Sequence, residues 1–276
     1  MKWLGKVIGG TLGFLMGGPI GSVAGVLLGH GVDAGLLPSS QRLGGAWTGE
    51  RQRIQSTFFT AAYSIMGYVA KADGRVSERE VAVVEGIIAR MGLSREMRKA
   101  AIDVFNQGKS QAFPLEQVID ELNRSCQGQR MLKLMFVEML LQVAYADGVP
   151  EPAEQEMLTR IRRRVGISQA SFSHVERLVS LRQKHTRHSG SRDYSRRPAG
   201  GQRTRASSLS QAYSVLGISP QATDSDVKRA YRMLLSRHHP DKLAAQQVPE
   251  EMMRLAAEKT HEIRSAYETV IKARAA

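Results

Sequence analysis

The chain of 276 residues has a single cysteine, Cys126, and only 6% of its residues are aromatic. One cysteine can form neither an internal disulfide nor an all-cysteine metal site, and such a count is typical of proteins in a reducing compartment. Long alternating runs of β-branched residues, which would indicate a sheet, are also missing. Ala, Leu, Met and Gln are plentiful instead, and they favour helices. The composition therefore predicts an all-α protein.

Acidic residues are outnumbered by basic ones, which gives a formal net charge of +13. Such a charge attracts nucleic acid, anionic lipid or an acidic protein surface. The excess is concentrated in 182–208, where eight basic residues accompany one acidic residue. Because this span has few apolar residues, we predict a flexible basic linker that can also contact lipid headgroups. It offers no aromatic stacking platform, so specific recognition of nucleic acid is not expected.

The N-terminal region has no charged residue between Lys6 and Asp33. After a short tail, 1–6, a helix over 7–31 would exceed the roughly 30 Å hydrocarbon core of a bilayer. Glycine recurs there at every fourth position, on one ridge of the helix: Gly5, Gly9, Gly13, Gly17, Gly21, Gly25 and Gly29. Because bare ridges let membrane helices approach closely, we predict a single transmembrane helix that dimerises through Gly9 to Gly29. The alternative, a cleaved secretory signal, would have a shorter apolar core and a small-residue cleavage site.

Residues 50–181 show apolar positions at three- and four-residue spacing, which predicts amphipathic helices. The pattern occurs twice. One set contains Phe58, Ala62, Ile65 and Val69, continued by Val81, Val84 and Ile88, and the other contains Leu134, Val137, Leu141 and Ala144. Each copy leads into an Asp-Gly turn followed by a glutamate, and in the first copy Ser77 and Glu80 can form a capping box. This self-similarity resembles TerB-like domains, which are small helical bundles with an acidic Asp-Gly turn in each half.

The two acidic turns are candidates for a cation site. As EF-hand loops they would lack most ligands, since Val69 and Lys71 occupy the first and third positions of the first copy. A cation held between the two turns, as the resemblance would permit, would use Asp73, Glu80, Asp147 and Glu154. Because Asp-Gly at a helix junction usually serves as a turn alone, we predict no metal and no other cofactor.

The segment 209–276 predicts a helical hairpin after a short first helix ended by Gly217. A basic helix runs to His238 with Thr223 or Asp224 as its cap, and a third helix begins near Glu250. Apolar positions on these helices are spaced to pack together: Val227, Ala230, Tyr231 and Leu234 on the second, and Leu255, Ile263, Ala266, Tyr267 and Val270 on the third. Pro240 disfavours helical geometry at His239, so His239-Pro240-Asp241 should lie in an exposed loop.

Four elements of this segment occur in a characteristic order: Ala-Tyr-x-Val-Leu-Gly, Lys-Arg-Ala-Tyr-Arg on the basic helix, His-Pro-Asp, and Glu-Ile-x-x-Ala-Tyr-Glu. This order resembles the J-domain family over most of the segment. The resemblance implies binding to the ATP-bound form of DnaK and stimulation of its ATPase, with no catalytic residue in this chain. It assigns docking to Lys228, Arg229, Tyr231 and Arg232, and the stimulating role to His239, Pro240 and Asp241.

Two positions depart from the family pattern. Met233 stands where many relatives have a basic residue, and Leu243 replaces a frequent polar residue after His-Pro-Asp. The Gly/Phe-rich and zinc-binding regions of full DnaJ proteins have no counterpart here, so independent binding of unfolded clients is not expected.

The whole arrangement resembles DjlA-type membrane-anchored co-chaperones. The resemblance implies a bacterial inner-membrane protein with a periplasmic N-terminus and a cytoplasmic bulk, which regulates DnaK at membrane or envelope-stress signalling complexes and is not itself an enzyme. Two other classes remain open. One is a membrane scaffold that acts through the TerB-like domain, and the other is a nucleic-acid tether that uses the arginine run.

Overall fold

The structure is a computed structural model that describes residues 45–72, 74–190, 201–245 and 248–275. The predicted tail 1–6 and the predicted transmembrane helix 7–31, with its glycine ridge, lie outside these residues. Within the described ranges no helix is both long and apolar enough to cross a bilayer. Every regular element in those ranges is a helix, which confirms the all-α prediction there.

The helices form two units, a bundle (α1–α7) and a J-like module (α8–α11). The bundle consists of α1 (Gly45–Ala70), α2 (Glu78–Met91), α3 (Arg95–Gly108), α4 (Leu115–Ser125), α5 (Arg130–Ala144), α6 (Pro152–Val165) and α7 (Gln169–Gly190). The J-like module consists of α8 (Gly201–Leu216), α9 (Asp224–His238), α10 (Pro240–Ala245) and α11 (Glu250–Ala275).

The apolar spacing of the sequence predicts the core of the bundle well. The positions predicted from α1 and from α5 are all buried in one apolar cluster. Val84 and Ile88 of α2 are buried as predicted, but Val81 is 40% exposed. Val81 lies in the first turn of α2, so the predicted apolar stripe begins one turn too early.

Two glycines set the distance between α1 and α3. A Cβ atom added to Gly67 would lie 2.0 Å from the carbonyl oxygen of Phe105, and one added to Gly108 would lie 1.8 Å from that of Ser64. Any larger residue at either position would clash with backbone of the facing helix. The glycines therefore allow the two backbones to touch, which fixes α3 against the long central helix.

The repeated turns have the predicted local structure. Gly74 and Gly148 have φ angles of +92° and +137°, in the region that favours glycine. Ser77 Oγ accepts a hydrogen bond from the Glu80 N–H (3.1 Å), and the Glu80 carboxylate accepts one from the Ser77 N–H (2.8 Å). This confirms the predicted capping box, and Glu154 closes a similar one at the start of α6.

The basic span 182–208 differs from the prediction of an irregular linker. α7 continues to Gly190 and α8 begins at Gly201, so 182–190 and 201–208 are helical. Extending an existing helix costs much less than nucleating one, and Arg, Lys and Gln are good helix formers. A low apolar content therefore does not end the helix. Residues 191–200 lie outside the described ranges.

The J-like module has an apolar core of its own where α8, α9 and α11 meet. It contains Ala212, Tyr213, Leu216, Val227, Leu234, Ile263, Ala266 and Val270. Most of the predicted packing is thereby confirmed, whereas Leu255 is buried in the core of the bundle instead. Gly217 ends α8 with a φ of +66°, and Thr223 is the residue that caps α9.

Candidate functional site

The basic helix α9 begins with a well-formed cap. Thr223 Oγ1 accepts a hydrogen bond from the Asp226 N–H (3.2 Å), while the Asp226 carboxylate accepts one from the Thr223 N–H (3.3 Å). Hydrogen bonds from Thr223, helped by nearby Arg229, lower the pKa of Asp226. The cap fixes where the helix starts.

α9 has one apolar and one basic face. Val227, Ala230 and Leu234 are buried, while Lys228, Arg229 and Arg232 are exposed. Arg229 pairs with Asp226 in the first turn at 3.2 Å, and Arg232 Nε donates to the carbonyl oxygen of Lys228 at 3.4 Å. Positive charge is therefore displayed to solvent along the helix.

Tyr231, a predicted docking residue, also has a structural role. Its ring stacks on that of Tyr267 in α11, with the centroids 4.1 Å apart and the planes 18° from parallel. Tyr231 is half-buried by this contact. Stacked rings add to the stability of a helix pair, so Tyr231 joins the basic helix to α11.

His239-Pro240-Asp241 lies at the junction of α9 and α10. His239 is extended (φ −65°, ψ 123°), as expected before proline, and Pro240 begins α10, so the predicted loop is largely a helical turn. The predicted exposure is confirmed at Asp241, whose side chain is 88% exposed, and in part at His239, at 36%. The Asp241 N–H donates to His239 Nδ1 at 3.3 Å, and Asp241 Oδ2 is 3.8 Å from the same nitrogen.

Both flanks of the tripeptide are anchored. Thr260 Oγ1 donates to the carbonyl oxygen of His238 at 2.9 Å, and the His238 side chain is buried. Burial lowers the pKa of His238 to about 4, and the charges of Arg237 and Arg182 add to this effect. On the other side Leu243 is fully buried. The sequence pattern singled out Leu243 as unusual but gave no sign that His238 is buried.

Charged groups that follow the first turn lie close to charged groups of the second copy. Arg79 lies 3.6 Å from Asp147 of the other copy, and burial raises the pKa of Glu80 to about 7, with contributions from Glu154 and Asp147. Glu80 and Glu154 each accept a backbone N–H as capping residues. Asp73 is outside the described ranges. Among the residues that are described, no group of three His, Cys, Asp or Glu is arranged to hold a metal.

Three family models match the chain. The model described as "Tellurite resistance protein TerB" matches residues 59–177, which lie within the bundle. The model described as "DnaJ domain" matches 211–275, which covers α9, the tripeptide and most of the rest of the J-like module. The model described as "Co-chaperone DjlA transmembrane domain" matches residues 1–48.

Similar curated proteins match over nearly the whole chain. A protein of Coxiella burnetii named "Co-chaperone protein DjlA" is 37% identical over 276 residues, which is 99% of either chain. Proteins of the same name from Photobacterium profundum and Escherichia coli K12 are 36% identical, cover 97% and 98% of this chain, and are matched over 98% and 97% of their own length. No solved structure matches.

Proposed function

Because this chain belongs to the DjlA family of co-chaperones, we propose that its J-like module binds a DnaK-type chaperone and stimulates ATP hydrolysis by that partner. The observation that carries this proposal is that the helix with the exposed basic face leads into a partly exposed His239 and an exposed Asp241. Arg232 lies about two helical turns before the tripeptide on the same helix, so one acidic partner can contact both.

The chemistry of the site is that of recognition. Lys228, Arg229 and Arg232 steer an acidic surface towards α9 at long range, which raises the rate of association. Asp241 then offers a solvent-exposed carboxylate to a cationic group of the partner, and a hydrogen bond between charged groups is stronger than a neutral one. The module favours the hydrolytically active conformation of the partner, and the ATP is hydrolysed there.

The direct test uses the full-length protein in phospholipid nanodiscs with purified DnaK. We expect the wild type to raise the steady-state ATPase rate and His239→Gln to abolish this effect without changing the melting temperature. His261→Gln, which alters an exposed histidine of α11, serves as the matched control. Full stimulation by His239→Gln would contradict the proposal and favour the membrane-scaffold alternative, in which deletion of 209–276 leaves function intact.

We also propose that the N-terminal segment spans the bacterial inner membrane once, with 1–6 in the periplasm and the rest of the chain in the cytoplasm. The match of residues 1–48 to a transmembrane family supports a membrane anchor. The orientation follows from the partner, because an ATP-dependent chaperone of the DnaK type works in the cytoplasm. A cysteine at Lys2 should react with an impermeant maleimide added to intact spheroplasts, whereas one at Arg51 should react only after lysis.

The glycine ridge supports a homodimer through this membrane segment. Replacing Gly13, Gly17 and Gly21 with leucine should preserve membrane insertion and abolish crosslinked dimers. Leucine at Val7, Val23 and Val26, which lie off the ridge, is the matched control. Equal crosslinking of both triple variants would rule out the ridge as the contact. Through such an anchored dimer, we propose, the protein recruits its chaperone to membrane or envelope-stress signalling clients.

A further inference from the structure

The J-like module rests on the bundle through an apolar contact next to the tripeptide. Five of its buried residues belong to the core cluster of the bundle, not to that of the module: Leu243, Val248, Met252, Leu255 and Ala256. All of them lie on α10, on the segment after it, or on the first turns of α11. The end of the module that carries His239-Pro240-Asp241 is therefore the end that the bundle holds.

Polar contacts surround this apolar patch. Gln55 Nε2 of α1 donates to both carboxylate oxygens of Glu251, at 2.8 and 2.9 Å. Arg182 of α7 pairs with Glu262, and Glu138 of α5 pairs with Lys259. Three bundle helices thus reach one side of α11. Such a distribution indicates a specific docked arrangement.

Close contacts at two glycines also indicate that the J-like module docks on the bundle in a specific arrangement. Gly92, at the end of α2, has a φ of +64°, and a Cβ atom there would lie 2.6 Å from Arg254 Nη1. A Cβ atom at Gly217 would lie 2.1 Å from Leu178 Cδ2 of α7. A side chain of one unit therefore touches a glycine of the other at two separate places.

The interface also has features that limit its stability. Lys259 and Glu138 are both largely buried, and burial lowers the pKa of Lys259. Desolvation of a buried ion pair offsets much of the attraction between its charges, so an apolar pair would hold the two units more tightly. Beside this pair lies a cavity of about 40 Å³, lined by polar groups that include Gln142, Arg237 and His238. Apolar side chains, among them Val175 and Leu178, complete the lining, and the cavity has room for water.

The contact restrains the residues on either side of the tripeptide. His238, immediately before it, lines the interdomain cavity, and Leu243, two residues after it, is buried in the core of the bundle. A stable protein partner covers about 800 Å² on each side, far more than three residues and one helix face supply. His238 and Leu243, which adjoin the tripeptide, are buried at the contact with the bundle and are not available to such a partner in this arrangement.

We propose that the bundle holds the J-like module in a closed, autoinhibited state, and that the module must separate from the bundle to stimulate its chaperone fully. This inference rests on the proposed function and concerns the regulation of the same site. The basic face of α9 stays accessible in the closed state, so the chaperone can bind weakly before the module opens. Opening then frees the flanks of the tripeptide.

The first experiment opens the contact. Glu138→Ala leaves Lys259 buried without its partner, which destabilises the docked state while leaving the predicted chaperone-binding residues untouched. In nanodiscs at subsaturating DnaK, we expect ATPase stimulation to rise about three- to tenfold, because the competent state becomes more populated. The matched control is Glu121→Ala, which removes a carboxylate paired within the bundle to Arg124 and should change nothing.

The second experiment closes the contact reversibly. Cysteines at Gln55 and Glu251, whose side chains touch across the interface, are bridged by a short bis-methanethiosulfonate reagent that reduction cleaves. Cys126 is fully buried and should not react. We expect the bridged protein to lose most of its stimulation and to recover it on reduction, whether or not Glu138→Ala folds.

The outcomes separate the two hypotheses. If the wild type stimulates, His239→Gln does not, and neither bridging nor Glu138→Ala changes the rate, autoinhibition is wrong while the proposed function stands. Reduced stimulation by a folded Glu138→Ala would also overturn autoinhibition, because docking would then assist the chaperone. If no variant stimulates in either redox state, the proposed function itself fails.

Discussion

The two faces of the J-like module differ in how their charges are placed. On α9, Lys228, Arg229 and Arg232 project into solvent, whereas Lys259 of α11 is buried against Glu138 of the bundle. Exposed charges act at long range and keep their hydration. Buried charges have lost it, so they stabilise a contact only while the oppositely charged partner is in place. The same module can thus attract an external partner with one face and bind its own chain with the other.

The largest difference between the two faces is expected in the free energy of unfolding after truncation of one side chain on each face. Met252 is buried in the shared core and Met233 on α9 is 41% exposed. Met252→Ala should lower the free energy of unfolding by about 2–5 kcal/mol, and Met233→Ala should change it by less than about 0.5 kcal/mol. Urea denaturation of the two variants measures this difference. Similar losses for both would mean that α11 is not packed on the bundle.

Acid should lower the free energy of unfolding through His238, which is buried just before the tripeptide. The pKa of His238 is lowered from 6.5 to about 4, so the unfolded chain binds more protons between these values. The contribution of neutral His238 is fully present above pH 6.5 and is lost as pH falls towards 4, by up to roughly 3 kcal/mol. His238→Gln should flatten the pH dependence of unfolding, and His261→Gln should retain it. An unchanged slope in His238→Gln would show that His238 is not buried.

Charge reversal should affect the solvent face alone. Lys228→Glu with Arg232→Glu should weaken DnaK binding roughly 30-fold, or about 2 kcal/mol, because like charges then oppose each other across the contact. Lys99→Glu with Arg264→Glu makes the same change in net charge at exposed positions on other helices. Fluorescence anisotropy with labelled DnaK compares the pairs. If both double variants bind DnaK equally weakly, the net charge of the protein attracts DnaK and the face of α9 is not a specific docking site.

The smallest difference between the two faces is expected in their response to salt. Raising ionic strength from about 0.05 M to about 0.5 M should weaken DnaK binding roughly tenfold, because the charges on α9 are exposed to screening. The buried Lys259–Glu138 contact should respond much less. Hydrogen exchange of the α11 backbone amides at both salt concentrations measures that response. A rise in exchange as large as the loss of DnaK affinity would show that the interface is solvated.

Local structure was predictable wherever short-range rules decide it. The capping box at Ser77, a cap at Thr223 or Asp224, the helix stop at Gly217 and the extended His239 each depend on one residue and its immediate neighbours. The solvent-exposed face of α9 was equally predictable, because the helical period alone separates Val227 and Leu234 from the basic residues. Such features do not depend on what lies across the molecule.

The contact between bundle and module could not be predicted in this way. The sequence shows Leu243 only as an apolar residue at a usually polar position, and its periodicity predicts that Leu255 packs within the J-like module, whereas both are buried in the core of the bundle. Periodicity shows that a residue is buried but not which of two cores covers it. Composition also predicts no helix over 182–190 and 201–208, because it takes no account of the low cost of continuing a helix.

Hydrogen exchange of the full-length protein, with and without ATP-bound DnaK, tests the roles of both faces in one measurement. The account predicts that DnaK protects backbone amides in 228–232 and 239–243 while exchange in 250–260 increases, because the chaperone occupies one face as the other leaves the bundle. Protection confined to the bundle, or no change in either part of the J-like module, would contradict it.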